Sequence, residues 1–208
     1  MITVHHLNNS RSQRILWLLE ELELPYEIAW HKRDATTRLA PPELTAVHPL
    51  GKSPVIADDG TVVIESGAII EYVVRRYGNG RLLPAPGSAA DVAHLQWMHY
   101  AEGSAMLPLM LALYVGRLGE AGAPLRPRID SEIANHLGYM EASLGDRPYF
   151  LGDALMAADV QLSFVVEAAE ARGRLAPYPR LAAYGKRLAA RPAYVRAVER
   201  GGAYALGT

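Results

Sequence analysis

The chain has 208 residues, half of them hydrophobic and 21% charged, with a formal net charge of -1. That length allows one large domain or two small ones, and the near-neutral balance leaves no footprint for nucleic acid or for an anionic membrane surface. The absence of cysteine excludes disulfides, thiolate zinc sites and a protein-borne thiol nucleophile.

The first residues, "MITVHH", lack the charged-then-apolar order of a secretory leader. No apolar run approaches the length of a membrane span, so a soluble cytoplasmic protein is expected. Ile2 to Leu7 has strand composition. Arg14 to Leu24 predicts a helix, with Ile15, Leu18, Leu19 and Leu22 on one face. Tyr26 to Trp30, introduced by Pro25, predicts a second strand. Residues 34–48 are polar and irregular, with a short helix over Pro42 to Ala46. Val55 to Ala57, the Asp59-Gly60 pair and Val62 to Ile64 predict a hairpin. A helix from Gly67 to Tyr77 follows, with Ile69, Ile70, Val73 and Val74 apolar. The opening β-α-β unit implies a parallel strand pair with a right-handed crossover.

Gly78 to Gly87, with its interspersed Gly and Pro, reads as a linker. Beyond it strand signals nearly vanish. Ser88 with Asp91 marks a helix start, and apolar residues recur through Tyr114 with Gly103 and Pro108 as bend points. Ile129, Ile133, Leu137, Met140 and Leu144 step by four or three along an amphipathic helix. Further helices are predicted over Ala157 to Arg172, Pro179 to Ala190 and Ala193 to Arg200. The expected organisation is an α/β domain over 1–78 with the order β-α-β-α-β-β-α, a linker over 79–87 and an all-helical domain over 88–208.

Three places carry chemistry. Pro54 stands directly before a strand, where a missing N–H is unwelcome. A cis Ser53–Pro54 bond would leave the backbone of Ser53 facing solvent, ready to pair with an extended peptide; a trans proline would merely open an edge strand. Glu65-Ser66 lies at a strand-to-helix junction. Ser66 as N-cap would put free N–H groups and a positive dipole end beside it, suited to a carboxylate, and Glu65 would add a countercharge for an ammonium. Ser10-Arg11-Ser12-Gln13 fits a capping box. The same geometry leaves a hydroxyl at a helix N-terminus, where it could instead donate to a bound anion. Ser12 could be the cap instead, and Asn8 or Asn9 could present an amide donor at the same place. The histidines make no metal set: His5 and His6 point to opposite faces of a strand, and His94 and His99 are five apart on a helix.

Four stretches, "SRSQRILWLLEEL" from Ser10, "HPLGKSPVI" from His48, "IESGAIIEYV" from Ile64 and "FLGDALMAADVQLSF" from Phe150, resemble in content and order the cytosolic glutathione transferases. The N-terminal pieces look closest to the theta-like, serine-type bacterial and fungal branch. The resemblance covers essentially the whole chain. It implies a thioredoxin-like first domain, glutathione as co-substrate, conjugation to a small hydrophobic electrophile and a homodimer. It further implies that Glu65 and Ser66 bind the γ-glutamyl end, and that the Ser53 backbone, presented by a cis Pro54, pairs with the cysteinyl part. Lys52 would reach the glycyl carboxylate, and Ser10 would donate to the sulfur. Tyr100 and Met106 of the helical half are the expected pocket residues. Tyrosine is absent from the N-terminal stretch, so a tyrosine mechanism is not expected. Related chains usually have Ser or Thr where Met156 stands before Asp159, which predicts a helix cap weaker by roughly 1 kcal/mol. A non-catalytic binder of glutathione or hydrophobic ligands, or a glutathione-dependent peroxidase, isomerase or dehalogenase, is the alternative.

Overall fold

A computed structural model describes residues 1–206. The elements in chain order are β1 (Ile2–Leu7), α1 (Ser12–Glu21), β2 (Tyr26–His31), α2 (Leu44–Val47), β3 (Val55–Asp58), β4 (Thr61–Ile64), α3 (Ser66–Tyr77), α4 (Ala89–Tyr100), α5 (Met106–Gly116), α6 (Arg126–Leu144), α7 (Ala157–Glu170), α8 (Pro179–Ala189) and α9 (Pro192–Gly201). The chain forms two compact units. One comprises Met1–Leu83 together with Leu188–Leu206, the other Pro84–Arg187. The division falls inside the expected linker, but the last helix groups with the N-terminal residues rather than with the helical half.

In the first unit the sheet order is β2-β1-β3-β4. β1 and β2 are parallel, while β3 runs antiparallel to both β1 and β4. This is the thioredoxin-like order expected. Ile2, Val4 and His6 of β1 are buried at alternate positions, as a strand packed on one face requires. The hairpin turn has positive φ at both Asp59 (47°) and Gly60 (82°), the backbone of a type I′ turn. The first helix ends earlier than the periodicity indicates. Glu23 takes φ 55°, and the Leu24 N–H closes back on the Leu19 carbonyl at 3.0 Å, so a left-handed residue stops α1 before Pro25. Trp17, Leu16 and Leu19 are fully buried. Trp17 packs edge-on against Tyr194 at 5.4 Å.

The second unit is helical. A π-helical turn, Ala101–Ala105, joins α4 to α5. It contains Gly103, and Pro108 in the next turn cannot donate to the carbonyl four residues back, which accounts for the change in winding there. A 3-10 segment, Gly119–Leu125, leads into α6. The unit's core gathers Trp97, Phe150 and Tyr184, with Trp97 and Phe150 ring centroids 4.6 Å apart. Asp159 keeps the carboxylate half of the cap on α7 and does more besides. Its carboxylate accepts from the Met156 N–H (2.9 Å), the Phe150 N–H (3.0 Å) and the Tyr184 hydroxyl (3.0 Å). Among the described residues no helix is long and apolar enough to cross a membrane.

Candidate active site

Three chain segments leave the sheet at one end. His5 of β1 is opposite Val55 of β3, and Val55 is opposite Ile64 of β4. The antiparallel pairings therefore bring the exit from β1, the entry to β3 and the exit from β4 together. Two hydrogen bonds tie the segments further. The Ser53 hydroxyl donates to the His5 carbonyl at 3.0 Å. The Arg14 guanidinium, on buried α1, donates to the Ser66 hydroxyl at 3.3 Å. Lys52, Ser53, Pro54, Glu65, Ser66 and Ser10 thus all belong to this end of the first unit.

The Ser53–Pro54 bond is cis, and Pro54 is buried while Ser53 is half-buried. Among the described residues none takes the backbone N–H or C=O of Ser53. An extended chain can pair there. Lys52 beside it is exposed and offers a cation.

The helix cap differs from expectation. Glu65, not Ser66, is the N-cap of α3, with φ 66° and ψ 122° and no side-chain cap bond. A non-glycine residue held at positive φ is a strained position of the kind that recurs at functional sites. Ser66 is the first helical residue and is buried. The helix ladder starts with the Ile69 N–H on the Glu65 carbonyl, so the N–H groups before it point out of the helix end. They and the positive dipole end suit a carboxylate, and the exposed Glu65 carboxylate suits an adjacent ammonium.

Ser10 does not form the expected capping box. The N-cap of α1 is Arg11. The Ser10 hydroxyl accepts from the Ser12 N–H at 3.2 Å, one position earlier than a box requires, and the Gln13 amide has no partner among the described residues. Ser10 retains 4% exposure and Ser12 none, so only Ser10 keeps any outward access. The other candidates, Asn8 and Asn9, are held by their amide oxygens, which leaves each Nδ2 as the group that can still donate. Asn8 Oδ1 accepts from the Arg33 N–H (2.9 Å) and Asn9 Oδ1 from the Ala205 N–H (2.8 Å). Ser12 was legible only as an alternative cap. It bridges Ser10 Oγ (2.8 Å) to His6 Nδ1 (2.9 Å), and His6 Nε2 reaches the Gly201 carbonyl at 3.0 Å. Burial lowers the His6 pKa, against a smaller upward pull from that carbonyl. Among the described residues no three His, Asp or Glu side chains come together as a metal set; His5 and His31 hydrogen bond to each other at 3.2 Å.

Tyr100 and Met106 belong to the second unit. Met106 is buried. The Tyr100 hydroxyl meets His136 Nδ1 at 2.8 Å, and burial pushes its pKa well up. An open cavity of about 370 Å³ in this unit is lined by Leu107, Leu111, Arg128, Glu132 and His136 among others. Neither Tyr100 nor Met106 lines it; Tyr100 reaches it only through His136.

Comparison with known proteins adds three kinds of similarity. Residues 10–76 match the family model for the glutathione S-transferase N-terminal domain, and residues 123–187 the one for the glutathione S-transferase C-terminal domain. Glutathione S-transferase 3 of Schizosaccharomyces pombe is 38% identical, over 96% of this chain and 88% of its own length. Among solved structures, a glutathione S-transferase from Actinobacillus pleuropneumoniae superposes with a TM-score of 0.90 at 33% identity, covering 99% of this chain and 94% of that one. A glutathione transferase family member from Pseudomonas fluorescens, with two glutathione bound, superposes with a TM-score of 0.80 at 29% identity, covering 95% and 92%.

Proposed function

The chain belongs to the glutathione S-transferase family, and from that premise we propose how its residues divide the work. It is a glutathione transferase with glutathione as co-substrate. Ser10 is the hydroxyl that meets the glutathione sulfur. Glu65 and the α3 N-terminus at Ser66 take the γ-glutamyl ammonium and carboxylate. The free Ser53 backbone pairs with the cysteinyl residue, and Lys52 takes the glycyl carboxylate. The observation that carries this reading is the convergence of the three segments at one sheet end, held by the Ser53–His5 and Arg14–Ser66 hydrogen bonds. The ligand has two carboxylates, one ammonium and an extended backbone. This end of the unit offers a helix N-terminus, a cation, an anion and an unpaired peptide group in complement.

A free thiol with pKa ~8.5 is only a few per cent thiolate at neutral pH. A hydroxyl donating to the thiolate, with the α1 dipole behind it, favours the charged form. Each pKa unit is about 1.4 kcal/mol, and one bond to a charged acceptor contributes about 1.5–3 kcal/mol. The activated sulfur then attacks an electrophilic carbon of a small hydrophobic compound. The same reading carries a serine-type member of the theta-like branch, working as a cytoplasmic homodimer.

The test is the thiolate absorbance of bound glutathione against pH, with turnover of a model aryl halide alongside. Ser10→Ala is expected to raise the bound thiol pKa by about one to two units and to lower kcat/KM about ten- to hundredfold. Wild-type turnover in the variant would remove Ser10 from its role. Binding with an unshifted thiol pKa in the parent protein would make it a binder rather than a catalyst.

A further inference from the structure

Ser10, Ser12 and His6 form one line of hydrogen bonds whose direction hangs on a single ring nitrogen. His6 Nε2 is 3.0 Å from the Gly201 carbonyl, which only accepts, so Nε2 carries a proton. In neutral imidazole Nδ1 is then an acceptor, and Ser12 Oγ, 2.9 Å away, donates to it. Ser12 has one proton. With that proton given to His6, its oxygen accepts from the Leu7 N–H at 3.2 Å and from the Ser10 hydroxyl at 2.8 Å. Ser10 in this state spends its proton inward and presents only a lone pair outward.

Protonating His6 reverses the line. Nδ1–H donates to Ser12, whose two lone pairs are then filled by His6 and by the Leu7 N–H. Ser12 directs its own proton to Ser10 Oγ or to the Leu7 carbonyl at 3.2 Å. Ser10 can no longer donate inward, and its proton turns to whatever occupies the site. No covalent step is involved; one proton is bound, the His6–Ser12 hydrogen bond reverses, the Ser12–Ser10 bond reverses or is given up for the Leu7 carbonyl, and the Ser10 proton turns outward.

We propose that His6 is a positioning residue which, acting through Ser12, decides whether Ser10 donates a hydrogen bond to an anionic sulfur group of the ligand, a thiolate or a sulfonate. The inference rests on the reading of Ser10 given above.

The surroundings of His6 suit a switch. From α9 the carbonyl of Gly201, at the negative end of that helix, favours the imidazolium. From β2, Trp30 presents an uncharged edge at 5.3 Å, and His31, when it is itself protonated, opposes protonation. From α1, Ser12 and Gln13 bring no charge. His5, the neighbour on β1, points to the other face of the sheet. At rest, burial keeps the ring neutral. An anion at Ser10 raises its affinity for a proton, and by linkage a proton on His6 raises the affinity for the anion. Anion affinity therefore climbs as pH falls from the ligand-bound to the ligand-free pKa of His6, and is level outside that window.

The experiment compares two non-reacting ligands by calorimetry from about pH 8 down to about pH 5.5, where histidine titrates. Glutathione sulfonate carries a permanent negative charge in place of the thiol, and S-methylglutathione carries a neutral sulfur. The ratio of their Kd values cancels whatever pH does to the parts of the site that both ligands share. In the wild type the ratio is expected to shift toward the sulfonate by about tenfold as pH falls. His6→Gln keeps a donor for the Gly201 carbonyl but does not titrate, and Ser12→Ala breaks the line in the middle. In both the ratio is expected to stay within about twofold. A wild-type ratio independent of pH, or variants that keep the wild-type slope, would overturn the role of His6. If S-methylglutathione fails to bind the wild type at all, the glutathione reading falls and the switch falls with it.

Discussion

Gln13 is buried on α1 with its amide oxygen and nitrogen both lacking a partner among the described residues. A buried amide left in this state costs about 1–3 kcal/mol, whereas an apolar group of the same shape does not. Gln13→Met is therefore expected to raise the melting temperature, by about 2–4 °C for each kcal/mol in a chain of this size, as followed by circular dichroism. No rise would mean that the amide has a partner outside the chain. The sequence reads Gln13 as the reciprocal member of a capping box with Ser10, a pattern that carries no information about which N–H the serine takes. Ser53, Glu65 and Ser66 were legible as candidates because each sits where a strand begins or ends or a helix begins, and Pro, Glu-Ser and the hairpin signal mark those ends, whereas Lys52 entered only through the family resemblance. His6 was legible only as one of two adjacent strand histidines pointing to opposite faces. Its partner, Gly201, lies 195 residues away, beyond the reach of any local pattern.

At the scale of elements, the informative pair is α1 and α9. Ala193, Ala197 and Gly201 recur every four residues on α9 and are buried, so the helix presents a narrow stripe of small side chains. The approach is close. A Cβ at Gly201 would lie 2.5 Å from Gln13 Oε1 and 2.8 Å from Leu16 Cδ1. Flanking the stripe, Arg196 and Arg200 hydrogen bond to Glu20 at 2.8 and 3.0 Å, and Arg191 to Glu21 at 2.9 Å. Burial pushes the Glu20 carboxyl up, but hydrogen bonds from Arg196, Tyr26 and Arg200 outweigh it and hold the pKa below its ordinary 4.5. A carboxyl depressed on folding stabilises the fold fully above its unfolded value. That contribution is lost as pH falls through the folded value. Glu20→Gln is therefore expected to cost about 1–2 kcal/mol at neutral pH, discounted because the arginines are partly exposed. The gap from wild type should narrow as pH falls below the ordinary glutamate value and close once it has passed the lower folded one. Melting curves at several pH values check this; a gap that persists in acid would assign the loss to packing. Periodicity predicts that residues 193–200 form a helix with an apolar face. It does not say against what, because many surfaces accept a small-residue stripe, and the Arg and Glu partners look like ordinary solvated charge until α9 is docked.

At the scale of the molecule, the unit that carries the candidate site is assembled from both ends of the chain. A version ending at Arg187 lacks α9, which uncovers Leu16 and the face of Trp17 that meets Tyr194. It also removes the acceptor of His6 and the arginine partners of Glu20 and Glu21. Large apolar groups lose on the order of 2–3 kcal/mol each on exposure, and a domain's whole margin is about 5–15 kcal/mol. The shortened chain is expected to lose cooperative unfolding of its first unit and retention on immobilised glutathione, measured by denaturant titration and by elution from the resin. A two-state transition with normal retention would show that α9 is dispensable. The return of α9 also has a meaning in time. A ribosome adds about 5–20 residues per second, and roughly a hundred residues separate the first part of this unit from the second, so the β-sheet waits on the order of ten seconds for its last helix. A nascent chain that stalls anywhere in the helical half carries every residue proposed to hold glutathione, yet it lacks the helix that closes their scaffold. Synthesis of α9 thereby becomes a condition for an assembled scaffold.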